Sequence, residues 1–479
     1  MCLLKTSRLK CIGKISRLNP FEIVIKSLYN LKNWKFWLSF HALLGLSTYF
    51  THWVLVGWLY LFILFTLYEI LRNRIDNYLI LAASLAYVVG IELLCRIAET
   101  SPYIPYEFGK YYFLLILLVY ILVVPLKGVS PGFFIVVLSL PSLLLIPRDE
   151  FRVYFVNSFS GIFLTGLIGY VFYKLRINKT DLNRIITVML YGLIAITVAV
   201  IIRTPDLEEV DFSLSANFDT SGNFGSNQVS TVMGMATMLI GLVLLVNLNV
   251  FQFKGLQLSF FFLFVVRGLL TFSRGGILGG VLSLFFAYIV PGGKYKGRIK
   301  LSLTIFLLVV CAIGSSFYFV NQITDEALLE RFRGETDATM RGLRERTLGT
   351  ITSGRSALVL AEWQIFLENP ILGVGPGAGY EARREKVGKR IASHTEVTRL
   401  LAEHGLFGLT IAVIFLFFPL IKIFRTPIGF DRIISTAFFS FAILTAFHAA
   451  MRTTVTPFLW GLACATFSEF SEKEVKKTK

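Results

Sequence analysis

One histidine and a handful of arginines, set beside glycines and helix-start signals, are the residues here whose types and spacing suit catalysis. His394 lies in Ser393-His394-Thr395-Glu396. Ser-x-x-Glu ahead of the apolar Val397, Leu400 and Leu401 reads as a capping box, which predicts a helix opening at this point with His394 in its first turn. The positive end of a helix dipole disfavours imidazolium, so the ring is expected to stay neutral and able to accept a proton. The alternative is a surface histidine that merely follows a cap. Arg355, in Ser353-Gly354-Arg355-Ser356, precedes a helical pattern over residues 356–368 that stops at Asn369-Pro370. An arginine beside free helix N–H groups suits phosphate oxygens, although an ordinary solvated charge explains it as well.

Arg274 falls in Ser273-Arg274-Gly275-Gly276, between two short apolar runs, where the glycines would let a large anionic ligand come close. Arg267 lies seven residues earlier, two turns down the same face if the segment is helical. An arginine in mid-span costs on the order of 3 kcal/mol or more, so it should face a polar cavity or a carboxylate, or snorkel. His448 and Arg452, four apart across an expected helix end, are candidates to line the same cavity. Residues 373–380, Gly-Val-Gly-Pro-Gly-Ala-Gly-Tyr, invite a phosphate-cradle reading. They lack the Gly-Lys-Ser/Thr ending and preceding strand of a P-loop, and a flexible turn is the reading preferred.

The residues that are missing narrow the chemistry. A metal-dependent glycosyl transfer usually needs paired carboxylates to hold a divalent ion on a pyrophosphate, and the outer connections carry no Asp-x-Asp. The cysteines, Cys2, Cys11, Cys95, Cys311 and Cys464, have no CxxC spacing and predict neither disulfides nor zinc. No cofactor and no metal are expected. Arginine would have to neutralise a leaving phosphate.

These residues must be positioned by a membrane bundle. Hydrophobic residues make up 55% of the 479 and charged ones only 16%, well under the roughly 25% of soluble domains. Apolar runs long enough to cross a ~30 Å hydrocarbon core recur from Trp34 almost to the C-terminus. The reading is an all-α polytopic integral membrane protein with about 12–14 transmembrane helices and a large helical periplasmic loop. Candidate spans are 34–50, 52–71, 77–97, 111–126, 131–147, 153–174, 185–202, 229–250, 256–273, 275–291, 300–320, 405–424, 433–448 and 451–467. The pairs around residues 51, 274 and 450 are short enough to merge.

The net charge of +17 sits mainly in short connections. Arg72 and Arg74, Lys127, Lys174 to Arg184, Lys254, Lys294 to Lys300, and Lys422 to Arg432 alternate with poorly charged loops, as the positive-inside rule describes. Nucleic acid is not an expected partner, since no basic face with interleaved aromatics lies outside the loops. This pattern puts a basic N-terminal segment (1–33) and the tail (468–479) in the cytoplasm. The loops 203–228 and 321–404 fall outside, between the spans of 34–320 and those of 405–467. The basic start has no clean apolar core ending in a cleavage site, so the first span is expected to remain as an anchor. ATP and nucleotide sugars are cytoplasmic, so any donor used by the outer loops must arrive membrane-borne and already energised.

Three stretches together resemble a known family, the bacterial O-antigen ligases with their relatives the O-antigen and exopolysaccharide polymerases. Gly222-Asn223-Phe224-Gly225-Ser226-Asn227-Gln228, where the eighth span begins, is similar to its Asn-containing motif. Ser273 to Gly276 is similar to its span-end arginine motif. Gly354-Arg355, Trp363, Asn369-Pro370, Gly373-Val374-Gly375, Ser393-His394 and Glu403-His404-Gly405-Leu406 are similar to its periplasmic loop. The chain departs from the family in having Thr395 where His-Asn is common. The resemblance implies transfer of a glycan from undecaprenyl pyrophosphate to an acceptor sugar hydroxyl, with inversion and without metal or nucleotide, at the periplasmic face of the bacterial inner membrane. The residues suit that chemistry, with His394 expected as base, Arg274 and Arg355 on the departing pyrophosphate, Arg267 on a deeper phosphate oxygen, and Asn227, His448 and Arg452 nearby. A ligase would use lipid A core as acceptor, and a polymerase a second lipid-linked glycan. A flippase or transporter is the rival reading from another class. No internal repeat is evident, and the polar residues gather at one outer surface rather than at mid-membrane, which favours an enzyme.

Overall fold

The computed structural model describes residues 27–72, 78–124, 128–290, 299–343, 345–347, 350, 352, 354–388, 391–448 and 451–469. Cys2, Cys11, the basic residues before position 27, Arg74, Lys127, Lys294, Lys296, Arg298, Ser353 and the tail after 469 lie outside them. The protein is an all-α polytopic membrane protein. Helices α1 (Trp34–Phe50), α2 (Trp53–Arg72), α3 (Tyr78–Ile97), α4 (Phe108–Val123) and α5 (Pro131–Ser139) lead to α6 (Phe151–Phe172), α7 (Lys179–Arg203), α8 (Ser226–Leu245), α9 (Lys254–Leu270), α10 (Arg274–Ile289) and α11 (Ile299–Ile323). The long loop then holds α12 (Ala327–Arg333), α13 (Asp337–Met340), α14 (Arg355–Glu368) and α15 (Gly379–Val387), before α16 (Glu396–Arg425), α17 (Phe430–Ala446) and α18 (Val455–Cys464). Among the described residues, seven helices are long and apolar enough to cross a membrane, and shorter apolar helices fill out the bundle.

Each expected span meets a helix, but three are only partly α-helical, the span 153–174 through the π-helical stretch Phe155–Phe159. The expected span 131–147 stops being α-helical at Ser139 and continues as a 3-10 stretch, Leu140–Leu145, that contains Pro141. The expected span 451–467 is helical only over Val455–Cys464. It then forms a short strand, Thr466–Ser468, paired in parallel with Arg176–Asn178. Period-2 alternation cannot be read from three residues, so this pair has no signature in the chain.

Lipid tails are as apolar as leucine, so helices associate in a membrane by close packing of small residues. Buried α3 and α7 touch at Gly90 and Gly192, where a Cβ on Gly90 would sit 2.4 Å from the Met189 carbonyl oxygen. Helices α8 and α10 approach through Gly234, Gly276 and Gly280 in the same way. Around this centre α2 and α11 turn Leu61, Leu64, Leu307 and Leu308 outward to lipid. Because successive helices alternate in direction, the C-terminal ends of α3, α7, α9, α11 and α17 share one end of the bundle with the N-terminal ends of α8, α10, α16 and α18. The loop helices cover that end. Within α16, the loop part Glu396–His404 and the membrane part that follows meet at Gly405 without a linker. Its backbone (φ 60°, ψ −137°) lies in a region that glycine alone tolerates, and Leu406 N–H donates to the Pro370 carbonyl at 2.7 Å.

Candidate active site

The helix expected to carry His394 begins later than Ser-x-x-Glu suggested. Thr395 is the N-cap residue and makes no side-chain capping bond. Ser393 Oγ instead closes a local turn, accepting from Thr395 N–H at 3.2 Å and donating to the Thr395 carbonyl at 3.0 Å, a competition typical of serine at helix starts. Glu396, the would-be box partner, is drawn into a buried ion pair with Arg399 and accepts from Met451 N–H at 3.2 Å. His394 thus precedes the helix instead of lying in its first turn, and the dipole argument fails. The imidazole is nonetheless held neutral, by a different cause. Burial, then the positive charges of Arg452 and Arg355, push its pKa down to about 4 against the opposing His448 carbonyl. Its Nδ1 is enclosed and, among the described residues, has no hydrogen-bond partner.

Arg355 opens α14, and its guanidinium reaches across to donate to His448 Nδ1 at 3.0 Å and to the Phe447 carbonyl at 3.4 Å. With Nδ1 accepting, His448 presents Nε2–H to Ser273 Oγ at 3.5 Å, and Ser273 donates to Asn227 Oδ1 at 2.7 Å. One hydrogen-bonded chain therefore joins Arg355, His448, Ser273 and Asn227. Gly275 makes room for it: a Cβ there would lie 2.1 Å from His448 Nδ1. Arg452 donates to the Ser393 carbonyl at 3.3 Å, beside His394.

The sequence reading missed Arg331. Helix α12 folds back so that Arg331 donates to the carbonyls of Leu214 (2.8 Å) and Phe272 (3.4 Å), while Arg274 donates to the Arg331 carbonyl at 3.1 Å. The hydrogen bonds that hold Arg331, Arg355 and Arg452 go to carbonyls and an imidazole. Burial and then Arg274 push Arg331 down to about 10, and burial followed by Arg274 and Arg452 lowers Arg355. Cations that destabilise one another in this way suit an anion of more than one charge. Arg96, buried at the end of α3, braces the cluster by donating to the Arg452 carbonyl (3.2 Å) and to Gln228. Arg96 too went unread, and Gln228 was named only as the last residue of the Asn-containing motif.

Arg267 stands apart. The backbone reverses at Phe272 (φ 53°), so α9 and α10 are not one helix and the two-turn register with Arg274 does not apply. Arg267 donates to Thr204 Oγ1 and to the Thr220 carbonyl, bracing the loop 203–228. Residues 373–380 form a tight turn with positive φ at Gly373, Gly375 and Gly377. Its N–H groups at Val374 and Gly375 are spent on the carbonyls of Ala402 and Glu403, which removes the phosphate-cradle reading.

Fold and site together define a polytopic membrane protein with a histidine-arginine centre at one end of its bundle. Residues 258–413 match the family model described as O-antigen ligase. Over that stretch the chain is similar to the O-antigen ligase family, in agreement with the resemblance read from the motifs that lie within it. No curated protein matches the chain. The matched segment contains Arg274, Arg331, Arg355 and His394, whereas Asn227, His448, Arg452 and Arg96 complete the site from outside it.

Proposed function

We propose that the protein is a metal-independent, inverting O-antigen ligase that moves a glycan from undecaprenyl pyrophosphate to a sugar hydroxyl of lipid A core. The observation that carries this reading is the placement of Arg355 and Arg452 beside a half-buried neutral His394, with Arg274 and Arg331 joined to each other and coupled to Arg355. The arginines neutralise the diphosphate, and most strongly as charge gathers on it during departure. His394 takes the proton from the acceptor hydroxyl while that oxygen bonds to the anomeric carbon. The carbon–oxygen bond to phosphate breaks, and its electron pair leaves with undecaprenyl pyrophosphate. His448 is buried and already accepts from Arg355, which suits it to holding that guanidinium rather than meeting a substrate. The charge of the connecting loops supports an inner-membrane protein with cytoplasmic termini and a periplasmic site. A polymerase would share the donor chemistry and differ in its acceptor.

The test is purified protein with lipid-linked glycan and lipid A core, in chelator and without nucleotide. Covalent glycan on the core supports the ligase, whereas product only on a second lipid-linked glycan means a polymerase. No covalent product with either acceptor overturns the reading. Impermeant labelling of a cysteine at position 394 from the cytoplasmic side alone would overturn the sidedness.

A further inference from the structure

Next to His394 lies a second recess whose charge differs from that of the arginine cluster. Its walls include Asn157, Tyr380, Arg383, Ser393, Arg399 and Arg452. Carboxylates offset its arginines: Arg383 pairs with Glu362 at 2.8 Å, and Arg399 with Glu396 and, at 2.6 Å, with Glu403. Only Arg452, shared with the anion site, lacks such a partner among the described residues. A dianion would gain little here, and a neutral, hydrogen-bonding ligand fits better.

Besides Arg452, the groups left to bind a ligand are polar and uncharged, apart from a single guanidinium nitrogen of Arg383. Asn157 sits in a π-helical stretch, Phe155–Phe159, where the extra residue turns its amide outward between buried Val156 and Ser158. The widened turn is pinned on both sides, since the Val156 carbonyl accepts from Lys110 Nζ at 2.7 Å and the Ser158 carbonyl from Arg399 at 2.9 Å. Asn157 is therefore held toward the recess with its own amide uncommitted. The Tyr380 hydroxyl has no hydrogen bond among the described residues either. Arg383 is fully enclosed, yet its Nη2 is buried without a partner, an N–H that a ligand oxygen or a water should satisfy. An amide, a phenol and a lone guanidinium N–H around one opening match the alternating donors and acceptors of vicinal hydroxyls.

We infer that this recess binds the acceptor glycan through its hydroxyls, with Asn157, Tyr380 and the free N–H of Arg383 as contacts. The inference rests on the transfer reading above and adds a location for the acceptor. An inverting displacement needs the attacking hydroxyl on the face away from the leaving phosphate. The recess draws Arg383 and Arg452 from the surroundings of His394, whereas Arg274 and Arg331 are engaged with each other and with the carbonyls of Leu214 and Phe272.

The test uses the full-length protein in detergent, with core oligosaccharide released from its lipid as the probe, in wild type, Asn157→Ala and Tyr380→Phe. Binding is read by saturation-transfer NMR, and acceptor and donor KM are read in the transfer assay. Each variant should weaken oligosaccharide binding and raise acceptor KM about three- to tenfold, the worth of one hydrogen bond, with donor KM unmoved. Unchanged acceptor binding in both variants, a rise confined to donor KM, or no binding to wild type would overturn the inference. Binding that weakens as expected in a protein that transfers nothing would leave the recess standing and remove the proposed function instead.

Discussion

Replacing Gly275 with Ala tests the site through a single methyl group. The new Cβ would lie 2.1 Å from His448 Nδ1 and 2.4 Å from its Cγ, against ordinary contact from 3.4 Å, so the ring must retreat by about 1.3 Å. It is held by Arg355 at 3.0 Å and Ser273 at 3.5 Å, and a shift of that size breaks both bonds. Arg355 then loses the partner that aims it. A displacement of about 1 Å in a positioned catalytic group costs roughly a hundredfold in rate, equivalent to about 2.7 kcal/mol. The helix itself should not suffer, since Gly275 has no positive φ and alanine is the better helix former. The assay is transfer at saturating donor and acceptor, alongside the unfolding midpoint in detergent. A fall in kcat of about a hundredfold is expected with the fold retained, and the midpoint should drop by no more than corresponds to the roughly 1–3 kcal/mol that overpacking costs. Activity within about threefold of wild type would show that the His448–Arg355 contact does not set catalytic geometry.

Other perturbations probe the remaining parts. Arg355→Lys keeps the charge but cannot reach His448 and Phe447 together, so kcat should fall about 10- to 100-fold; full activity would demote Arg355 to a surface charge. With His394 pushed down to about 4, the base stays neutral and active above that value, so kcat/KM should hold steady from pH 7 to about 5 and fall only toward pH 4. An acid limb near the ordinary histidine value of 6.5 would contradict the burial argument. Glu362 and Arg383 are both fully enclosed, and Thr395 and Thr398 also donate to Glu362, so the pair clamps the segment that bears His394. Glu362→Ala should cost about 3–5 kcal/mol by stranding Arg383, seen as a lower unfolding midpoint, and a double replacement by methionine should recover most of the loss.

Much of this architecture could be read from the chain because its causes are local. Apolar runs of bilayer length gave the spans, and loop charge gave an expected orientation. Asn369-Pro370 and Gly405 punctuated the long loop where the structure breaks its helices. Arg274, Arg355, His394, Asn227, His448 and Arg452 were legible because each stands at a span or helix end beside glycine, serine or another polar residue, and the structure gathers all of them.

What escaped depends on tertiary placement. Arg331 lies in Ala-Leu-Leu-Glu-Arg-Phe-Arg, which reads as a solvated short helix until α12 folds back on Phe272 and Leu214. Arg96 and Gln228 sit at helix ends whose neighbours only the packing reveals. The capping box failed because Glu396 had two uses, and the buried pair with Arg399 three residues on outweighed an exposed cap. The two-turn register expected between Arg267 and Arg274 is interrupted at Phe272, a reversal that no residue pattern announced. Asn157 carried no signal, since a π turn is set by which carbonyls find partners rather than by a residue pattern.

The central claim is that His394 activates the acceptor while the arginines hold the diphosphate, and single-turnover transfer by His394→Ala with donor already bound tests it most directly. The account predicts no glycan on the acceptor above the uncatalysed background, with donor affinity and folding as in wild type. Transfer at a near-normal rate in that variant would contradict it.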